Sequence, residues 1–229
     1  MGNGANSVFV LSRSRVRELD RRAIERVAIP VGVFSALKQY SLFDQVSTTF
    51  AFLGFSLPTF FSGLVIIVIF SVKLHWLPFV YDGSADGFWP NVKQSIMPVA
   101  VLGLAGAAQL MRFMRASMLE QAGMDYVVTA RAKGLTERRI VFRHILRNAL
   151  LPVVTIAGFQ VGALIGGSVV VESVFNWPGL GTLAFESLFA RDLNLLLGIF
   201  LLSSLLVVLV NLAVDLLYAV LDPRIELGR

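Results

Sequence analysis

The sequence predicts an all-α polytopic membrane protein, and three observations lead to that prediction. Of the 229 residues, 56% are hydrophobic and only 15% are charged, whereas a soluble domain has about 25% charged residues. Four long runs lack any charged residue or histidine, and the basic residues concentrate in alternate connecting segments. A large soluble protein with four buried helices is the alternative, but the connecting segments are too small to cover that much apolar surface.

The four charge-free runs predict transmembrane helices at about residues 46–72, 95–111, 148–171 and 193–214. The uninterrupted runs measure 28, 18, 24 and 22 residues. Because a helix needs about 20 apolar residues to cross the hydrocarbon core, three runs are long enough and the second is at the lower limit.

The distribution of Lys and Arg predicts the orientation. Seventeen of the 20 basic residues precede the first run, lie between the second and third, or follow the fourth. Because Lys and Arg in short loops stay in the cytoplasm, both termini and the loop 112–147 should be cytoplasmic, and the loops 73–93 and 172–192 should face outward. Nucleic-acid binding by the basic loop is disfavoured because the loop lacks interleaved aromatic residues.

Prolines and glycines inside the runs indicate bends and close helix packing. Pro58, Pro98 and Pro152 each remove a backbone hydrogen bond, which indicates local helix geometry or, as the less favoured alternative, gating. Glycines recur at i, i+4 and i+8, and this spacing predicts a helix-packing stripe of Gly158, Gly162 and Gly166.

The sequence carries no signal for chemistry on this chain. No charge lies inside a run, no phosphate-binding GxxxxGK[ST] loop occurs, and no His, Asp or Glu residues have metal-ligand spacing. We therefore expect no enzyme activity, catalytic residue, cofactor or metal. A partner should supply the energy for any uphill transport, since ion-coupled carriers usually need intramembrane charges.

The loop 112–147 is predicted to be largely helical. Met111, Met114, Met118 and Ala122 share a helical stripe that extends the second span into the cytoplasm. Gly134 is a candidate for the left-handed residue that ends this segment, and residues 125–134 are interpreted as the turn that follows.

A second helix is predicted after this turn, with Thr136 as its N-cap. Its apolar stripe is expected to comprise Val141, Ile145 and Ala149, beside Phe142 and Leu146. An adjoining basic face, made of Arg139, Arg143 and Arg147, suits an anionic headgroup surface.

The stretch DYVVTARAKGLTERRIVFRHILRNALLP resembles the EAA loop of ABC-transporter permeases, in the form found in dipeptide, oligopeptide and nickel importers. The resemblance extends through VESVFNWPGLGTLAFESLFARD and NLAVDLLYAVLDPRIELG and covers about residues 29–229. Val128 and Thr129 stand where the general pattern has Glu and the first Ala. The resemblance implies an ATPase-coupling segment of Asp125, Tyr126, Thr129, Ala130, Arg131, Ala132, Gly134 and Glu137.

The same resemblance implies an inner-membrane import permease with several partners. These would be a second homologous permease, two ATP-binding subunits, an extracytoplasmic solute-binding protein and membrane lipid, without nucleic acid. Peptide is the preferred substrate and nickel the alternative; a secondary carrier and a non-transporting remnant are the other classes considered.

The N-terminus departs from the family pattern, because the family has six spans and four are visible here. Residues 1–28 are polar and basic and lie outside the resemblance. They could form a short surface helix, or they could come from a truncated or frameshifted gene. The second explanation is preferred because the resemblance stops abruptly near Ile29.

Overall fold

The computed structural model describes residues 27–83, 88–166 and 168–221, and every regular element in this part of the chain is helical. The predicted all-α class is therefore confirmed. The expectations for residues 1–28 fall almost entirely outside the described residues. In chain order the elements are α1 (Val27–Leu37), α2 (Leu42–Ser56), α3 (Thr59–Ile66), the π-helix π1 (Ile67–Lys73), α4 (Phe88–Ala122), α5 (Asp125–Ala132), α6 (Glu137–Arg139), the π-helix π2 (Ile140–Ile145), α7 (Leu146–Gly166), α8 (Val169–Val174), α9 (Leu180–Phe189) and α10 (Leu193–Leu221).

Three described helices are long and apolar enough to cross a membrane: Phe88–Ala122, Glu137–Gln160 and Leu193–Val214. A fourth candidate is the pair Leu42–Ser56 and Thr59–Lys73, which is bent by 105° at a short break. By length and composition this pair is a broken span or a re-entrant loop, so the four predicted spans correspond to three helices and one bent pair.

The bend lies at Pro58, inside the predicted span 46–72, where the sequence indicates a bend. Pro58 occupies the N-cap of α3 with an extended ψ of 138°. Proline also disfavours the helical conformation of the residue before it, here Leu57. The prolines of α4 and α7, Pro98 and Pro152, lie inside helices that continue through them.

The end of α4 agrees with the sequence prediction, whereas the end of the third span differs from it. α4 extends to Ala122, as the methionine stripe predicted, and Met111, Met114 and Met118 are all buried. α7 ends at Gly166 and α8 starts at Val169, so the predicted span 148–171 ends too late. The Ser168 hydroxyl caps α8 by accepting a hydrogen bond from the Val171 N–H at 3.4 Å.

The chain divides into two compact units. Unit A contains the described residues within 53–107 and 167–199, and unit B contains those within 27–52, 108–166 and 200–229. The core of unit A consists of Ile67, Met97, Val101, Val171 and Phe175.

α3 and α8 approach closely within unit A. A Cβ at Gly63 would lie 3.2 Å from a methyl carbon of Val174 and 3.3 Å from the Phe175 ring. The small residue therefore lets the two helices pack side by side.

Unit B is held together by polar contacts between helices that are distant in sequence. The Ser117 hydroxyl donates to the Ala149 carbonyl at 2.9 Å, which joins α4 to α7. The Gln160 amide donates to the Gln109 side-chain oxygen at 3.2 Å. This bond is a second polar link between α7 and α4.

Small residues allow close approaches in unit B as well. Gly32 of α1 lies against α4, because a Cβ there would be 2.8 Å from the Met111 carbonyl oxygen. Gly158 of α7 lies directly against Val214 of α10. The neighbours of Gly162 and Gly166 lie outside the described side chains.

Candidate functional site

The segment predicted as a turn after the second span is a helix of its own. α5 comprises Asp125–Ala132 and is separated from α4 by Gly123 and an extended Met124 (φ −78°, ψ 149°). Glycine is a poor helix residue, so the break at Gly123 was available as a signal that the sequence reasoning missed. Asp125 lies in the first turn of α5, where a negative charge interacts favourably with the helix dipole.

The inner face of α5 packs on the loop itself. Val127 is fully buried, Ala130 is 6% exposed, and the helix contacts π2. Tyr126 is half-buried, and its hydroxyl donates to the Gln121 side-chain oxygen at 3.0 Å. Ala130 and Tyr126, both expected at the partner contact, therefore attach α5 to its own chain.

The outer face of α5 is exposed, and its side chains are small or short except for Arg131. Asp125, Thr129, Arg131 and Ala132 all lie on it, together with Val128, which is 60% exposed. The Thr129 hydroxyl donates to the Asp125 carbonyl at 3.0 Å, so it is satisfied within the helix. Val128 was not among the predicted contact residues.

α5 ends at Gly134 in the manner that the sequence predicted. Gly134 has a φ of +75°, and its N–H donates to the Arg131 carbonyl at 2.9 Å. The Leu135 N–H donates to the Ala130 carbonyl at 3.3 Å. Together these bonds form a Schellman motif, which glycine accommodates without a steric penalty.

An ion pair joins the end of α5 to the start of α6. The Arg131 guanidinium donates to both carboxylate oxygens of Glu137, at 2.7 and 3.3 Å. Hydrogen bonding from Arg131 lowers the pKa of Glu137 below its ordinary value, and Glu137 in turn raises the pKa of Arg131. Both side chains are exposed, so the pair fixes local geometry more than global stability.

The second helix of the loop 112–147 differs from its predicted pattern. Thr136 is the N-cap residue of α6, as expected, but its side chain makes no capping hydrogen bond. The buried stripe consists of Ile140, Ile145 and Ala149, whereas Val141 is only half-buried. The π-helix explains this shift, because its i to i+5 repeat brings Ile140 and Ile145 to the same face.

The outward side of this helix is basic and partly apolar. Arg139, Arg143 and Arg147 are exposed as predicted. Phe142, expected beside the apolar stripe, is instead 56% exposed.

A buried carboxylate that the sequence reasoning did not single out organises the segment 168–192. Glu172 is 8% exposed; its Oε1 accepts the Ser168 N–H at 3.2 Å and its Oε2 accepts the Thr182 N–H at 2.8 Å. Gly179 lies directly against the carboxylate, leaving no room there for a larger residue. The sequence did contain a signal for this buried carboxylate, because Glu172 stands in a segment otherwise rich in apolar and glycine residues.

Within the residues that the structure describes, no group of three or more His, Cys, Asp or Glu side chains could hold a metal ion. The loop 112–147 presents the exposed face of α5 at its surface.

The profile of the binding-protein-dependent transport system inner membrane component matches residues 28–227. The chain belongs to this family.

Curated proteins with similar sequences include several peptide permeases. The chain is 44% identical over 206 residues to the oligopeptide transport system permease protein AppB of Bacillus subtilis (strain 168), covering 87% of this chain and 64% of AppB. It is 41% identical over 226 residues to the dipeptide transport system permease protein DppB of Escherichia coli (strain K12), covering 87% of this chain and 66% of DppB. The chain thus spans slightly less than two thirds of these relatives.

A third relative is the glutathione transport system permease protein GsiC of Escherichia coli O1:K1 / APEC. The identity is 46% over 195 residues, covering 85% of this chain and 61% of GsiC.

The fold of this family member is also similar to that of a solved membrane transporter chain. An inward-facing structure of the MetNI methionine ABC transporter aligns with a TM-score of 0.70 and 18% identity, covering 97% of this chain and all of that chain. At this identity the match establishes the fold alone.

Proposed function

We propose that this chain is the membrane permease subunit of an ATP-driven importer of short peptides. The family match and the peptide-permease relatives support this proposal. Peptide is favoured over nickel because the relatives compared above carry oligopeptide, dipeptide and glutathione in their names. The chain itself contributes the passage, and the free energy of ATP hydrolysis comes from another subunit.

The proposed assembly contains a second homologous permease, two ATP-binding subunits and an extracytoplasmic solute-binding protein. The family description names a binding-protein-dependent system, which supports the last of these partners. α10 supports a partner within the membrane, because Leu197, Leu201 and Leu205 are all more than half exposed. Lipid or a second permease would cover this surface.

The proposed location is the inner membrane, with residues 29–229 as the permease domain. The 17-to-3 distribution of basic residues supports cytoplasmic termini and a cytoplasmic 112–147 loop. The segments 73–93 and 172–192 would then face the solute-binding protein.

The single observation that carries the coupling proposal is the exposed face of α5. This helix is attached through Val127 and Ala130, ends at Gly134, and is braced by the Arg131–Glu137 pair. A partner that moves α5 would therefore also move π2, on which α5 packs, and the helix that continues into the membrane. Transport is then a shift between two conformations of the permease, whose pathways open to opposite sides. The shift occurs because the ATPase contacts α5 differently in each conformation.

Ala132→Trp tests this assignment. Ala132 is exposed, so a bulky side chain there should block docking while leaving the fold intact. Ala116→Trp is the matched control, since Ala116 is also an exposed helical alanine but lies outside α5. The full chain would be reconstituted with its partner subunits in proteoliposomes, and peptide-stimulated ATP hydrolysis would be measured.

We expect Ala132→Trp to lose most of the stimulation, on the order of tenfold if docking loses about 1.4 kcal/mol, and Ala116→Trp to retain it. Full stimulation with Ala132→Trp would overturn the coupling assignment. Peptide uptake without the ATP-binding subunits would instead indicate a secondary carrier. Stimulation by nickel rather than peptide would overturn the substrate proposal, and no stimulation by any solute would indicate a non-transporting subunit.

A further inference from the structure

A shallow basic depression lies at the start of the helix Glu137–Gln160. Thr136, Arg138, Arg139 and Phe142 line it. Both arginines are exposed, and Phe142 is 56% exposed. Arg143 is exposed on the next turn and adds a third guanidinium to this surface.

The positive charge of the depression has no matching carboxylate in its lining. Glu137 is adjacent in sequence, but its two carboxylate oxygens accept hydrogen bonds from Arg131. Glu137 is therefore paired with Arg131 of α5. Arg138 and Arg139 line the depression together with the Phe142 ring and the Thr136 hydroxyl. Such a lining suits an anion that also carries an apolar portion.

The position along the helix indicates which anion is within reach. Helix Glu137–Gln160 is one of the candidate spans, and its helical course continues to Gly166. Counting about 20 residues back from Gly166, the length of a hydrocarbon crossing, reaches Arg147. At about 1.5 Å per residue, Arg143 and Arg139 then lie roughly 6 and 12 Å beyond the hydrocarbon boundary, in the headgroup layer.

We propose that this depression binds the phosphate headgroup of an anionic phospholipid in the cytoplasmic leaflet. Arg138 and Arg139 would donate to the phosphate oxygens, because a guanidinium fork matches phosphate geometry. Arg143 would add attraction, and the Thr136 hydroxyl would donate a further hydrogen bond. The exposed Phe142 ring would pack at the junction between headgroup and acyl chains.

The structure changes the residues that sequence reasoning assigned to lipid contact. The expected face was Arg139, Arg143 and Arg147; the depression adds Arg138, Thr136 and Phe142. The added aromatic ring distinguishes a lipid from a free anion, since inorganic phosphate gains nothing from an apolar neighbour. It also disfavours a purely acidic protein surface.

Binding can be measured on the full chain purified in a neutral detergent. Phosphatidylglycerol, phosphatidylcholine and inorganic phosphate would be titrated separately, and bound lipid would be counted by native mass spectrometry alongside the thermal midpoint. The test variants are R138Q/R139Q and Phe142→Ser. The charge-matched control is K73Q/K133Q, which removes two exposed lysines outside the depression.

We expect tight phosphatidylglycerol binding, weak phosphatidylcholine binding, and an affinity for phosphatidylglycerol on the order of tenfold weaker in R138Q/R139Q. Phe142→Ser should weaken lipid binding and leave the response to inorganic phosphate unchanged. Equal losses in R138Q/R139Q and K73Q/K133Q would overturn the proposal, because they would show non-specific charge attraction. Phosphate binding as tight as that of the lipid would also overturn it, as would equal binding of both phospholipids.

Discussion

The guanidinium of Arg115 donates two hydrogen bonds to the carboxylate of Asp44, at 2.7 and 2.8 Å, across 71 residues of sequence. Asp44 is 3% exposed and also accepts hydrogen bonds from the Ser35 hydroxyl and the Tyr40 N–H. This carboxylate therefore joins α1, the turn after it, α2 and α4 within unit B.

Removing Arg115 should destabilise the protein more than removing an exposed cation. Arg115→Ala leaves a buried carboxylate without its counter-charge, which typically costs about 3 kcal/mol or more. The free energy of unfolding in mixed detergent micelles measures this loss. Lys133→Ala, an exposed control, should change it by less than about 0.5 kcal/mol.

The apolar double variant Asp44→Leu/Arg115→Met separates the ion pair from simple packing. Since it removes both charges together, it should recover much of the stability lost in Arg115→Ala. A double variant as unstable as the single one would show that the charges themselves are required.

Gly134→Ala should weaken the end of α5 through backbone conformation alone. No atom lies within 4 Å of a Cβ built at Gly134, so the penalty comes from its φ of +75°, about 1–2 kcal/mol for a non-glycine residue. Hydrogen exchange of the Leu135 amide, which bonds to Ala130, should accelerate. Gly134→Asn should destabilise the end of α5 less than Gly134→Ala, because asparagine tolerates the left-handed backbone region.

Gly198→Ala is the matched control for this substitution. Gly198 also has no atom within 4 Å of its Cβ position, but it lies inside α10 without a positive φ. Alanine should be neutral or stabilising there, since it is the better helix former. Equal destabilisation at both positions would contradict the conformational explanation.

Gly158→Ala should push α7 away from α10. The added methyl would overlap the Val214 side chain, and overpacking of this kind costs about 1–3 kcal/mol. Thermal unfolding measures the loss. Val214→Ala combined with Gly158→Ala should recover part of it, so that the two changes are not additive. Strict additivity would show that the two residues do not compete for space.

The Arg131–Glu137 pair should contribute to coupling rather than to global stability. Because the pKa of Glu137 is lowered in the folded protein, its contribution is present above its ordinary value of 4.5 and is lost as the pH falls through the lowered pKa. The pair should therefore not make the stability vary with pH between pH 6 and 8. Glu137→Gln should leave the thermal midpoint at pH 7 nearly unchanged but reduce peptide-stimulated ATP hydrolysis. A large fall in the thermal midpoint of Glu137→Gln would contradict the prediction that the pair contributes to coupling rather than to stability.

Composition and charge were sufficient to predict the helical class, the approximate spans and the end of α5, because each depends on local sequence. Gly134 is an example: its conformation follows from one residue in its immediate context. The Asp44–Arg115 pair could not be predicted in this way, because its partners are far apart in sequence and meet only after the helices pack.

The errors within the candidate site have equally specific causes. Residues 125–134 were interpreted as a turn because the break at Gly123 was overlooked. Val141 was assigned to the buried stripe because an i, i+4 repeat was assumed where the helix follows an i, i+5 repeat. Ala130, which the family resemblance assigns to the partner contact, lies on the buried face of α5, and the family pattern does not specify this face.

The break between α2 and α3 has a consequence for solvation at membrane depth. The helical bonds on either side persist, from the Leu57 N–H to Leu53 and from the Ser62 N–H to Pro58. Between them, the last carbonyls of one helix and the first amides of the next lie outside a regular helical ladder. Hydrocarbon cannot hydrogen-bond such groups, so a 105° bend at this depth requires water or protein beside it. We therefore predict that water or a neighbouring subunit, and not the lipid annulus, lies beside the exposed Leu57 and Phe60 next to the bend.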